Sequence, residues 1–144
     1  MTEPIQVVID TNVLVTASRS TQGASFALLQ RMLDKSFEMN VSSALLLEYE
    51  EKLKAEMANR SLRELWKVDR FLDFVMAVAN PRIIYFSLNV DGVDQDDQFL
   101  VHLAIASRSP FIVTYNLRHF IGAGRYGIKA IRPGDLLRIL ARAE

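Results

Sequence analysis

The stretch Gln6-Val-Val-Ile-Asp10-Thr11-Asn12-Val-Leu-Val15 constrains the chain more than any other, because an apolar run carries a carboxylate and two hydrogen-bonding side chains at its middle. A short Val/Ile/Leu run reads as a buried strand, where a carboxylate costs free energy unless a partner or a cation meets it. Ending the strand at Ile9 or Asp10 resolves the conflict. Asp10 then sits at the C-terminal edge of the strand, where open parallel sheets place their ligands. The plainer alternative is that Asp10 caps the next turn or helix with its side chain.

Helix and strand patterns alternate along the rest of the chain. Ser20 or Thr21 is expected to cap a helix over 23–34 that turns Phe26, Leu29, Met32 and Leu33 inward. A short strand over 37–41 follows, and Ser42 or Ser43 then caps a helix over 44–57. A third helix is predicted over 62–79, with Leu62, Leu65, Trp66, Leu72, Val75, Met76 and Ala79 on one face and Asn80-Pro81 as its stop. The composition of 82–86 is that of a strand, and 89–97 is a polar loop. It leads into a helix over 98–107 with Leu100, Leu103 and Ala104 as its inner stripe. Strands are expected over 111–115 and near 128–131, separated by a glycine-containing loop. Pro133 opens a last helix with Leu136, Leu137 and Leu140 inward. Strands alternating with helices argue for a parallel sheet covered on both faces, since parallel strands need crossover connections.

At 144 residues the chain fits one domain, 1–144, able to bury a core without disulfides or structural metal. The absence of cysteine excludes disulfide frameworks, thiolate zinc sites and cysteine nucleophiles. No apolar stretch approaches the ~20 residues of a membrane span, and the first four residues lack the character of a signal peptide, so a cytoplasmic protein without membrane contact is expected. Lys plus Arg (17) equals Asp plus Glu (17), so any nucleic-acid contact must come from a local patch. There is no Gly-rich Lys-Ser/Thr phosphate loop and no Gly-x-Ser-x-Gly elbow, and neither His102 nor His119 has metal-ligand spacing to a partner. Trp66, Phe71 and Phe74 on or near one helix point either to more apolar surface than one core buries, hence a homodimer, or simply to a large core.

The polar residues converge on one sheet edge. Asp10 ends the first strand, Asp94, Asp96 and Asp97 precede the 98–107 helix, and Thr114 and Asn116 follow a later strand. Glu48 lies one turn into a helix that starts at the same edge. Most have a bland reading: a cap for Asp10, helix N-terminal positions favoured by the macrodipole and capping for Asp96 and Asp97, a solvated face for Glu48, a closed turn for Thr114 and Asn116. Together they favour a cation site. Carboxylates without a nearby basic counter-charge suit hard ions such as Mg²⁺ or Mn²⁺. Such ions activate water and stabilise the leaving oxygen of a phosphodiester.

Four segments in this order resemble PIN domains, closest to the toxin branch of bacterial toxin-antitoxin systems. They are Val-Ile-Asp10-Thr-Asn12-Val-Leu, Leu-Leu-Leu-Glu48-Tyr-Glu-Glu-Lys-Leu, Asp94-Gln-Asp96-Asp97-Gln-Phe-Leu and Ile-Val-Thr114-Tyr-Asn116-Leu-Arg-His-Phe. The resemblance implies a three-layer α/β/α sandwich with a central, mainly parallel sheet, and a metal-dependent ribonuclease with RNA as substrate and an antitoxin protein as partner. Carried over by position, Asp10, Glu48 and Asp97 match the metal-binding acids, with Asp94 and Asp96 as second candidates and Asn12 and Thr114 in support. Asn116 completes the catalytic set but departs from the pattern, since many members have an acid there. Arg19, Arg118, His119 and Arg125 are the expected RNA contacts. Two other readings compete: a catalytically weak module that binds RNA or an antitoxin, and a phosphatase of haloacid dehalogenase type. The latter expects a second Asp where Asn12 stands.

Overall fold

The computed structural model describes residues 3–60 and 64–143. Val7, Val8 and Ile9 of strand β1 (Ile5–Ile9) are all fully buried, so the strand is covered on both faces and cannot show the alternation of a half-exposed one. It is the middle strand of a sheet ordered β3-β2-β1-β4-β5, with β2 at Phe37–Val41, β3 at Asn80–Pro81, β4 at Phe111–Val113 and β5 at Lys129–Ile131. All of these pairings are parallel, with Val7 level with Met39 on one side and Ile9 with Val113 on the other. Helices cover both faces, which makes the three-layer α/β/α sandwich expected from the alternating pattern. The strand order reverses between β1 and β4, the switch point where open parallel sheets leave a crevice beyond the C-terminal ends of the strands.

Strand β1 ends at Ile9, and the chain turns at once into α1 (Thr11–Arg19), a helix not expected from the sequence. Its run Val13-Leu-Val-Thr16 is β-prone, but Val13, Leu14 and Ala17 are buried along one stripe, and that burial outweighs local preference. Helix α2 (Ala24–Arg31) is correspondingly shorter than the 23–34 expectation and starts at Gly23. Ser20 and Thr21 do not cap it; Ser20 ends α1. Ser42 caps α3 (Ser43–Ala58), its side chain accepting from the Leu45 amide.

Helix α4 (Trp66–Val78) buries Val68 and Val75 and half-buries Phe71, Leu72 and Phe74. Trp66 and Met76 are instead 54% and 64% exposed, which corrects the expected face. Leu62 lies outside the described residues. The guanidinium of Arg70 and the ammonium of Lys67 lie near the Trp66 ring, while Phe71 and Phe74 pack on each other. The three aromatics therefore do not form one exposed patch.

The strand expected over 82–86 is absent. Asn80 and Pro81 pair with Asn40 and Val41, and the Arg82 amide still reaches the Val41 carbonyl at 2.8 Å. Beyond that, β2 has no residue left to pair, because Ser42 has turned into α3. Residues 98–107 form α5 (Gln98–Ser107) as expected, with Leu100, Leu103 and Ala104 fully buried, and α5 lies across β1, β2 and β4. The loop expected after β4 is a 3-10 segment, Leu117–Tyr126, and α6 (Pro133–Ala143) closes the chain against α2.

Candidate active site

Asp10 stands just past β1, at the head of the crevice, and is only 8% exposed. It occupies the position before α1, yet its side chain makes no cap hydrogen bond. Its Oδ2 instead accepts from the Thr114 hydroxyl at 2.8 Å. That hydroxyl in turn accepts from Asn12 Nδ2 at 3.2 Å and from the Asn116 amide at 3.0 Å, so its one donor and both acceptor directions are in use. Asn12 Oδ1 accepts from the Tyr115 amide at 3.3 Å, stitching α1 to the end of β4. Thr114 and Asn12 thus hold the Asp10 carboxylate in one orientation across the switch point.

Glu48 reaches the same place from α3. Its Oε2 accepts from the Thr11 hydroxyl, and the adjacent Tyr49 hydroxyl donates to the Ile9 carbonyl. Tyr49 is fully buried, so this contact fixes the start of α3 against the end of β1. Burial holds the Tyr49 phenol well above its ordinary range, and the charges of Asp10 and Glu48 push it further.

The third arm is the loop before α5. Gln98 is buried and organises it: its Oε1 accepts from the Val90 amide at 2.8 Å, and its Nε2 donates to the carbonyls of Val90 and Val93 at 3.0 and 2.8 Å. Asp94 and Asp97 precede the 3-10 turn Gln95–Asp97 and α5 respectively, and neither makes a side-chain cap hydrogen bond. The capping explanation therefore fails for Asp10 and Asp97, and Asp94 makes no cap bond either. Asp97 Oδ2 instead lies 3.0 Å from His119 Nδ1, and ligand atoms of Asp94, Asp97 and His119 fall within 4.8 Å of one another. Sequence spacing gave no sign of this, because 22 residues and a whole strand separate Asp97 from His119. Asp96 is exposed and reaches the group only through its charge on Asp97.

Burial raises the Asp10 carboxyl to about 6, and the charges of Asp97 and Glu48 add to the shift while Thr114 and the Thr11 amide oppose it. Asp97 is raised too, chiefly by burial, with His119 opposing and Asp94 and Asp96 reinforcing. Among the described residues no lysine or arginine pairs with Asp10, Glu48, Asp94 or Asp97. Oxygen donors that repel one another, with His119 as their one basic neighbour among the described residues and no lysine or arginine, form a set that suits a hard divalent cation.

The segment match agrees with this geometry: the PIN domain description fits residues 6–118. The chain belongs to the PIN domain family. No curated protein matches it. PIN domains are generally nucleases that use divalent metals, and here the matched span runs from β1 through the Thr114–Asn116 arm, taking in all three acidic elements of the crevice.

Other expected contacts of the PIN domain scatter. Arg19 ends α1, about 12 Å of helix rise beyond Thr11, and its guanidinium pairs at two points with Glu56 at 2.7 and 2.9 Å. It is not brought to the crevice. Arg118 is exposed on the 3-10 segment near His119, and Arg125, farther along it, has only a 3.9 Å approach to Asp91. Asn116 is exposed at the crevice edge. His102 Nε2 lies 2.6 Å from the Leu88 carbonyl, a structural contact. Away from the acids, an apolar cavity of about 320 Å³ opens between α1, α2, α3 and α4, walled by Leu14, Phe26, Leu29, Leu53 and Phe71.

Proposed function

We propose that the chain is a metal-dependent endoribonuclease and the toxin of a toxin-antitoxin pair. The observation that carries the nuclease reading is that Asp10, Glu48 and Asp97 arrive from three elements at one switch-point crevice with hydrogen-bonded orientations and, among the described residues, no lysine or arginine partner. Asp10 and Asp97 would hold Mg²⁺ or Mn²⁺, with Asp94 beside them, and Glu48 and Asn116 would position a second ion or the attacking water. A cation bound there supplies Lewis-acid activation of water and neutralises charge on the phosphodiester.

The chain's own residues then do the positioning. Thr114 and Asn12 fix Asp10, Thr11 fixes Glu48, and Gln98 fixes the loop that carries Asp94 and Asp97. Arg118 and Arg125, exposed on the 3-10 segment that carries His119, would meet RNA phosphates, giving a local, salt-sensitive contact in a chain of zero net charge. The exposed Asn116, an amide where many family members carry an acid, supports the second reading of a weakly catalytic module that binds RNA or an antitoxin, and the apolar cavity between α1 and α4 gives a protein partner a seat.

Cleavage of an end-labelled RNA pool by wild type and Asp97→Asn, in Mn²⁺, Mg²⁺ and EDTA, tests the nuclease. The expected result is metal-dependent cleavage by wild type that falls at least ~100-fold in the variant. Equal cleavage by both places the activity elsewhere. No cleavage by either, with a stable RNA complex, favours the binding module.

A further inference from the structure

We infer that His119 is a positioning residue for Asp97, turning that carboxylate toward a divalent cation, and is not one of the RNA phosphate contacts. The inference rests on the metal-site reading of the crevice. The observation is the 3.0 Å approach of His119 Nδ1 to Asp97 Oδ2, with Asp94 in the same group of ligand atoms. A hydrogen bond from Nδ1–H occupies one carboxylate oxygen and leaves the other free for an ion. It also holds Asp97 beside acids of like charge that would otherwise drive it outward. Partners of this kind, one bond behind a ligand, fix its orientation and its affinity for the ion.

The contact is built from both directions. Phe120, next in the chain, is buried in the core and anchors the segment that carries the ring. Two residues further on, Gly122 lies directly on the acidic loop: its amide donates to the Gly92 carbonyl at 3.3 Å, and a Cβ at this position would fall 1.7 Å from the Asp91 carbonyl oxygen. Arg118 and His119 stand on a 3-10 segment whose successive side chains diverge by about a third of a turn, so the arginine meets solvent where the histidine meets Asp97.

Two measurements on the full chain test this. Calorimetric titration with Mn²⁺ alone compares wild type with His119→Ala, His119→Asn and His119→Gln. An asparagine amide can take the place of Nδ1–H, whereas the glutamine amide extends to where Nε2 lies. The expected result is about tenfold or greater weakening in His119→Ala and His119→Gln, with His119→Asn recovering most of the affinity. Ring ¹⁵N shifts in metal-free protein should show the Nδ1–H form of His119, and Asp97→Asn should perturb them. Wild-type affinity in His119→Ala overturns the inference while leaving the metal site standing. Equal loss in His119→Asn and His119→Ala, at unchanged melting temperature, overturns it in favour of the imidazole as a direct ligand. Wild type that binds no Mn²⁺ overturns the metal reading itself.

Discussion

Glu38 lies in β2 and Asp10 just past the end of neighbouring β1, and their surroundings differ in kind. Glu38 sits level with Gln6 in the sheet, and its Oε2 accepts from Gln6 Nε2 at 2.8 Å and Asn80 Nδ2 at 2.6 Å. Those bonds, with Arg82 and Lys35 nearby, hold its carboxyl below the ordinary range. Asp10 is buried, accepts from Thr114 and has two further carboxylates as neighbours, and burial first, with those charges adding to it, raises its carboxyl to about 6. One acid is satisfied by the fold; the other is left for something the fold does not supply. Mutually repelling acids in a crevice are where a site is expected, and the contrast separates that from ordinary ion pairing.

The largest break in this comparison comes from Asp10→Asn. It keeps an acceptor for Thr114 and removes the charge. RNA cleavage should fall by ~10³ or more, since an amide is a poor ligand for a hard cation. Stability should move the other way. Because Asp10 is raised from 3.8 unfolded to about 6 folded, the folded state binds the extra proton between those values. Its contribution is therefore fully present below the lower value and is lost as pH rises through the upper one, a loss on the order of 2–3 kcal/mol. Metal-free wild type should lose stability to urea between pH 4 and pH 7 relative to Asp10→Asn, and Mn²⁺ should close the gap at pH 7. Parallel pH profiles in the two proteins would show that neither burial nor the neighbouring acids raise Asp10.

The next effect tests whether the crevice depends on how its arms are clamped. Gly122→Ala puts a methyl against the Asp91 carbonyl, where backbone rather than a flexible side chain must yield. A loss of roughly 2 kcal/mol is expected in urea denaturation, with weaker Mn²⁺ binding because the segment carrying His119 moves away from Asp97. Glu38 and its partners should be untouched, so the damage falls on one side of the comparison. A variant of wild-type stability and metal affinity would show that the two backbones have room to slide.

What could be read from the sequence follows the range over which each feature acts. Asp10 was legible because a carboxylate interrupts an apolar run, and Leu100, Leu103 and Ala104 because one helical period carries them. Helix α1 was not, since Val13 to Thr16 prefer strand locally and only packing against α2 and α3 decides otherwise. Trp66 was misassigned because apolar character alone does not say that Val68 is the residue facing inward. In the crevice, the acids stand out by type. Asn12 and Thr114 stand in the same segments as candidate supports, but the others do not show: Tyr49 acts on a carbonyl 40 residues away, and Thr11 on a carboxylate 37 residues away. Gly122 acts through a backbone approach that leaves no mark in its neighbours, and His119 meets Asp97 only after β4 has been laid beside β1.

The smallest effect is expected from Glu38→Gln, which sharpens the comparison from its satisfied side. Both donors, Gln6 and Asn80, converge on one oxygen, so the single carbonyl of glutamine can keep one or both bonds while its charge is lost. With a folded pKa below its unfolded value, Glu38 contributes stability that is present above the unfolded value and fades as pH falls through the folded one, opposite in sign to Asp10. The substitution should therefore cost about 1 kcal/mol or less at pH 7 in urea denaturation, and progressively less as pH falls through the lowered folded pKa. RNA cleavage and Mn²⁺ affinity should match wild type. A Glu38→Gln protein that lost metal affinity would show that the two acids are electrostatically coupled through β1, and the division between a structural and a functional carboxylate would have to be redrawn.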